Sequence, residues 1–186
     1  MLQITIPTTE EWDPVSEMFF EVKETKLELE HSLISLSKWE SRHHKAFLDP
    51  KEKITPEEML DYIKCMTLTK NVKDEVYNCI PPSEMQKVRD YIDDPMTGQK
   101  FYDDPNDRKR PQTKIWTAER FYYAISSYQL DWRVEKWHLN RLFALIKFCS
   151  NENEAAMNDG KMKPGQLMKR NSALNAARKK AWHTKG

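Results

Sequence analysis

Two adjacent histidines, His43 and His44, stand beside Glu40, and imidazole and carboxylate are both metal ligands. A zinc site needs three or four ligands at motif spacing, and no cysteine lies close, so the pair reads as histidines at an exposed helix end. The carboxylates Asp93, Asp94, Asp103, Asp104 and Asp107 have the chemistry to hold Ca²⁺ or Mg²⁺. They lack the D-x-[DN]-x-[DN]-G order of an EF-hand loop, and solvated turn residues explain them. Glu21-Val22-Lys23 and Glu24-Thr25-Lys26 share a Glu-x-Lys pattern with metal nucleases. No Pro-Asp precedes them at a suitable distance, and charged strand positions account for them. Cys65, Cys79 and Cys149 are widely spaced without a CxxC, which fits free thiols in a reducing compartment. No GxSxG, P-loop or dinucleotide fingerprint occurs. No catalytic residue, metal or cofactor is therefore assigned, and the expectation is a protein that is not an enzyme.

Binding chemistry is better represented. In Trp137-His138-Leu139-Asn140-Arg141, polar residues interrupt the most apolar part of the chain. They form either a polar patch that holds a partner segment or the wet face and satisfied network of a helix, and the second reading is simpler. The net charge of +1 conceals an asymmetry: Met1 to Ser32 carries eight acidic and two basic residues, Lys161 to Gly186 eight basic and no acidic ones. Such a tail suits nucleic acid, an acidic protein surface, or the acidic N-terminus of a neighbouring copy. Nucleic acid usually recruits aromatics between the charges, and only Trp182 and His183 lie there, so it is the weaker choice. Partner contact is assigned to Trp132, Trp137, His138 and Arg141 in the centre, and to Lys169, Arg170, Arg178, Lys179, Lys180 and Trp182 in the tail.

The elements that position these residues centre on Thr117 to Cys149. Thr117 can cap a helix that puts Phe121, Ala124, Ile125 and Tyr128 on one face. After a break at Gln129-Leu130-Asp131, Leu139, Leu142, Phe143 and Ile146 follow i, i+3, i+4, i+7, which predicts a second helix and an antiparallel helical hairpin. Leu2 to Ile6 alternates and reads as a strand, Glu10 to Ser16 as an acidic connector, and Phe19 to Leu29 as a second alternating stretch that pairs with the first. Ser32 can cap a helix to about Arg42. Thr55-Pro56-Glu57-Glu58 is a helix start, with Met59, Tyr62, Ile63 and Met66 facing inward. Val72 to Cys79 is a further helical piece, and Pro82-Ser83 opens a helix with Met85, Val88 and Ile92 apolar. Asp93 to Pro111 holds turn sequences, Asn151 to Pro164 reads as a linker, and Gln166 to Trp182 as a basic amphipathic helix.

The chain has 186 residues, 32% of them charged, with mean hydropathy −0.83. Four glycines speak against a phosphate loop and a turn-dense β-sandwich. No signal peptide or membrane span is expected. The expected class is mainly α: an acidic N-terminal β strand or hairpin element over 1–32, a helical core over 33–150 with the hairpin at 117–149, and a linker with a basic C-terminal helix or tail over 151–186.

Four stretches, in chain order, carry a resemblance: LISLSKWE from Leu33, DYIKCMTLT from Asp61, WHLNRLFALIKFC from Trp137 and RNSALNAARKKAW from Arg170. Together they resemble tail-module proteins of bacteriophages with long non-contractile tails, usually called tail assembly chaperones or tail structural proteins. The resemblance implies a non-enzymatic chaperone in the host cytoplasm that coats the tape measure protein before tail subunits polymerise around it. The major tail protein and further copies of the chain are the other implied partners. The alternatives are a structural component of the tail or head–tail joint retained in the virion, and a small regulatory or nucleic-acid-binding protein using the basic tail.

Overall fold

A computed structural model describes residues 1–13, 17–99, 115–159 and 164–182. The chain divides into two compact units, one of 1–96 with 115–143, the other of 97–114 with 144–186.

In the first unit, β1 (Leu2–Ile6) pairs antiparallel with β4 (Thr25–Leu29), Ile4 opposite Leu27. Between them in sequence, β2 (Thr9–Asp13) and β3 (Met18–Val22) form a second antiparallel ladder, Trp12 opposite Phe19. The inward side of the first ladder, Ile4, Ile6, Leu27 and Leu29, is at most 1% exposed. A mainly α class with a small β element is therefore corrected. Four strands make two ribbons, one of them with its inward face in the core, and helices set beside antiparallel strands make the fold α+β. The acidic connector is likewise corrected, because Thr9 to Asp13 is β2. The Phe19–Leu29 stretch holds two strands, and only β4 pairs with the first.

Helix α1 (Leu33–His43) is capped by Ser32, whose hydroxyl accepts from the Ser35 N–H, and ends at His44 in the left-handed region. Helix α2 (Pro56–Met66) starts with a full capping box: Thr55 accepts from Glu58 N–H and Glu58 accepts from Thr55 N–H. Tyr62, Ile63 and Met66 are buried, and Met59 is half-buried. Then come α3 (Asp74–Asn78) and α4 (Pro82–Asp93), which packs on β1 and buries Val88 and Tyr91 rather than Ile92. Helix α5 (Ala118–Ser127) buries Phe121, Ala124 and Ile125. It ends where Gln129 takes positive φ, as the break at Gln129-Leu130-Asp131 predicts.

The predicted helical hairpin is not formed in that shape. A short 3-10 turn (Trp132–Lys136) separates α5 from α6 (Leu139–Asp159), and α5 packs chiefly on α1. Helix α1 also touches α2 and the 3-10 turn, so the first unit is organised around Leu33–His43 instead of around residues 117–149. Its core includes Leu33, Leu36, Trp39, Tyr62, Phe121, Ile125 and Leu142.

In the second unit, α6 continues through the stretch read as a linker as far as Asp159. Helix α7 (Pro164–Ala181) follows. It is a basic helix as predicted, but its apolar residues are not gathered into one stripe, so the amphipathic expectation is corrected. Asp103, Asp104, Asp107 and the rest of the turn sequence from Lys100 to Pro111 lie outside the described residues.

Candidate functional site

Polar chemistry in the first unit collects at the junction between β4 and α1. His31 is 1% exposed and His138 6%. Their rings meet edge to face at 5.0 Å. His31 Nδ1 lies 2.6 Å from the Tyr62 hydroxyl. His138 Nδ1 accepts from the Asn140 N–H, which leaves Nε2 to donate to the Tyr91 carbonyl at 2.9 Å. The Tyr91 hydroxyl donates to Glu30, whose other oxygen pairs with the terminal amine of Met1. Asn140 donates to the carbonyls of Ile92 and Asp94, and Leu139 N–H to that of His31. Burial, then the neighbouring His138, pulls His31 down to about 3, and burial also lowers His138, so both imidazoles are neutral at pH 7. An imidazole–phenol pair has the parts of an acid–base dyad, but this one is sealed from solvent on all sides. Its work is to tie β4, α2, α4 and the start of α6 together.

Glu40 has a similar part. Its carboxylate is 8% exposed and accepts from the backbone N–H groups of Phe47 (3.1 Å) and Ala118 (2.7 Å). Burial raises its proton affinity, and the two donated hydrogen bonds act against that. It thus caps α5, while Thr117, the predicted cap, makes no side-chain cap bond. His43 stacks on Trp39 and meets Asp61 at 3.0 Å. Among the described residues, no group of three or more His, Cys, Asp or Glu is placed to hold a metal ion. Cys65 is buried and free, its thiol pushed up by burial.

Exposed aromatics lie outside this junction. Trp132 is 56% exposed, on the 3-10 turn and beside Tyr122. Tyr123 is 75% exposed. Trp137 is 36% exposed, with the Arg141 guanidinium 4.4 Å from its ring centroid. Asp131 caps the turn and pairs with Arg133 at 2.7 Å, and Val134 beneath it is buried. Trp132 and Trp137 are therefore displayed by a segment held through Val134 and through the Leu139–His31 bond, and Tyr123 is displayed by α5. Of the four central residues assigned to partner contact, Trp132, Trp137 and Arg141 are exposed, and Arg141 lies over the Trp137 ring. His138 is corrected: it faces the buried junction.

The tail residues belong to the second unit. Lys169, Arg178, Lys179, Lys180 and Trp182 are exposed and Arg170 is half-buried, all on α7 or at its end. Met168, Asn171, Asn175, Lys179 and Trp182 line a shallow concavity along the helix.

Four exposed aromatics escaped the sequence reading: Tyr123, Phe148, Trp12 and Phe19. The last two form an edge-to-face pair at 5.0 Å on the β2–β3 ladder. Their signal was available, because two short runs rich in aromatic and β-branched residues flank a turn-forming Asp13-Pro14. Among the described residues no helix is long and apolar enough to cross a membrane. No protein-family model, curated protein or solved structure matches the chain.

Proposed function

We propose that this chain is a non-enzymatic tail assembly chaperone of a long-tailed bacteriophage, acting in the host cytoplasm on the tape measure protein. The resemblance described above names the partner. The observation that carries the reading is the run of solvent-facing side chains between residues 123 and 141: Tyr123, Trp132, and Trp137 with Arg141 over its ring. Aromatic and Arg side chains are the residues that most often dominate protein–protein binding energy, because they bury large areas at low entropic cost. A tape measure protein is a long helix with apolar stripes, and an aromatic surface can cover such a stripe by helix-in-groove contact. Repeated weak contacts along one long target give a coat that later subunits can displace.

Co-expression with the tape measure protein of the same phage tests this. A large soluble complex is expected, with a tape measure protein that is insoluble alone. A Trp132→Ala, Trp137→Ala variant with unchanged circular dichroism should lose the complex. If this chain elutes alone while the tape measure protein still aggregates, the chaperone reading fails. Recovery of the chain from purified virions would replace it with a structural role.

A further inference from the structure

The β2–β3 ladder carries charge that it does not balance. From Thr9 to Val22 it holds Glu10, Glu11, Asp13, Glu17 and Glu21, and no Lys or Arg. Register places Glu10 directly opposite Glu21, and both are exposed. Like charges at opposed positions destabilise a ladder. On the same face, two residues along, Trp12 (48% exposed) and Phe19 (69% exposed) meet edge to face. One side of the ribbon thus presents two carboxylates next to a largely uncovered aromatic pair, with Glu17 at the turn also exposed, while at the base the exposed Lys23 and Glu24 offset each other. The like-charge pair works against the ribbon, and the rings stabilise it as a cross-strand pair yet keep much of their surface in water; together they suit a cationic, partly apolar partner.

Helix α7 has the complementary chemistry. Over Pro164 to Ala181 it holds Lys169, Arg170, Arg178, Lys179 and Lys180 and no Asp or Glu. Met168, 76% exposed, lies beside them, and Trp182 closes the helix. Lys169 and Lys180 lie on one face of α7 with a rise of about 16 Å between them, and Glu17 at the turn lies about 13 Å along the ribbon from the opposed Glu10 and Glu21, so the two acidic ends match the two basic clusters. We infer that the β2–β3 ribbon of one copy docks on α7 of a second copy, with Glu10 and Glu21 facing one basic cluster, Glu17 the other, and Trp12 and Phe19 set against the helix stems between them. The surfaces on the two copies differ, so the contact is head to tail. It does not depend on the partner proposed above.

Sedimentation velocity of the full chain tests it, at low salt and above about 0.15 M salt, where exposed charges are screened beyond about 8 Å. Wild type should associate at low salt, and its apparent dissociation constant should rise roughly tenfold or more with salt. Glu10→Lys with Glu21→Lys should be monomeric, and so should Lys169→Glu with Lys179→Glu and Lys180→Glu. An equimolar mixture of the two variants should associate again, which a misfolded variant would not do. A wild type that is monomeric at low salt overturns the inference. So does association that survives both sets of charge reversals. If the α7 reversals abolish DNA binding but leave the association unchanged, the helix serves nucleic acid and the contact is refuted.

Discussion

Two ladders of equal length are built within the first thirty residues, and they have opposite surroundings. In β1–β4, Ile4, Ile6, Leu27 and Leu29 point into the core at 1% exposure or less. In β2–β3, Trp12 and Phe19 point into solvent. Both satisfy backbone hydrogen bonds in the same antiparallel way. The first has α4 packed against it, and two strands alone are marginal without such cover. Each buried aliphatic side chain adds roughly 1.5–3 kcal/mol that an exposed one does not. Strand pairing is thus common to both ribbons, whereas stability is concentrated in one and unsatisfied surface in the other.

Substitutions can break this contrast. The largest effect is expected from Leu27→Ala in the buried ladder, which should cost about 2–5 kcal/mol in urea unfolding. A loss under 1 kcal/mol would mean that β1–β4 is not part of the core.

Acid should weaken the buried ladder next. His31 follows β4 directly and holds a folded-state value of about 3 against an ordinary 6.5. Between those values the unfolded chain binds the proton and the folded chain does not. The contribution is therefore complete above pH 6.5 and is lost as pH falls toward 3, at no more than about 1.4 kcal/mol per pH unit. Chemical denaturation of wild type and His31→Asn across that window measures it: the difference in stability between them should shrink as pH falls. A difference that stays constant refutes it.

Smaller effects belong to the exposed ladder. Trp12→Ala should change stability by less than about 1 kcal/mol, because the ring keeps about half of its exposure when folded. Its consequence should show in sedimentation instead. Glu21→Thr should raise stability by a few tenths of a kcal/mol, by removing the carboxylate opposite Glu10 and adding a strand-favouring residue. A melting temperature that falls for Glu21→Thr would show that the two carboxylates are compensated within the monomer, and would sharpen the comparison the other way.

Some of the candidate surface was legible before the fold. Trp132, Trp137 and Arg141 stand out by type, and the structure leaves them exposed on one segment. His138 lies between them in sequence and could not be separated from them there. Its burial follows from Tyr91, 47 residues away, whose carbonyl takes its proton. The Trp12–Phe19 pair left only the weaker signal of two aromatic runs about a turn: with Pro14 and three acidic residues around it, β2 lacks the aliphatic alternation that marks β1.

Sequence alone determined what depends on neighbours within a turn. The Ser32 cap, the Thr55–Glu58 capping box, the alternation of Leu2 to Ile6 and the basic helix before Trp182 each rest on residues at most a few positions apart. Tertiary structure decided what depends on residues brought from afar. It chose β4 over β3 as the partner of β1, gave the cap of α5 to Glu40, 78 residues before Ala118, and made α1 the centre of the first unit. The physical reason is desolvation. Caps and periodicity act through local hydrogen bonds and local geometry, whereas burial of a ring or a carboxylate is settled only when another element covers it and supplies the missing bonds.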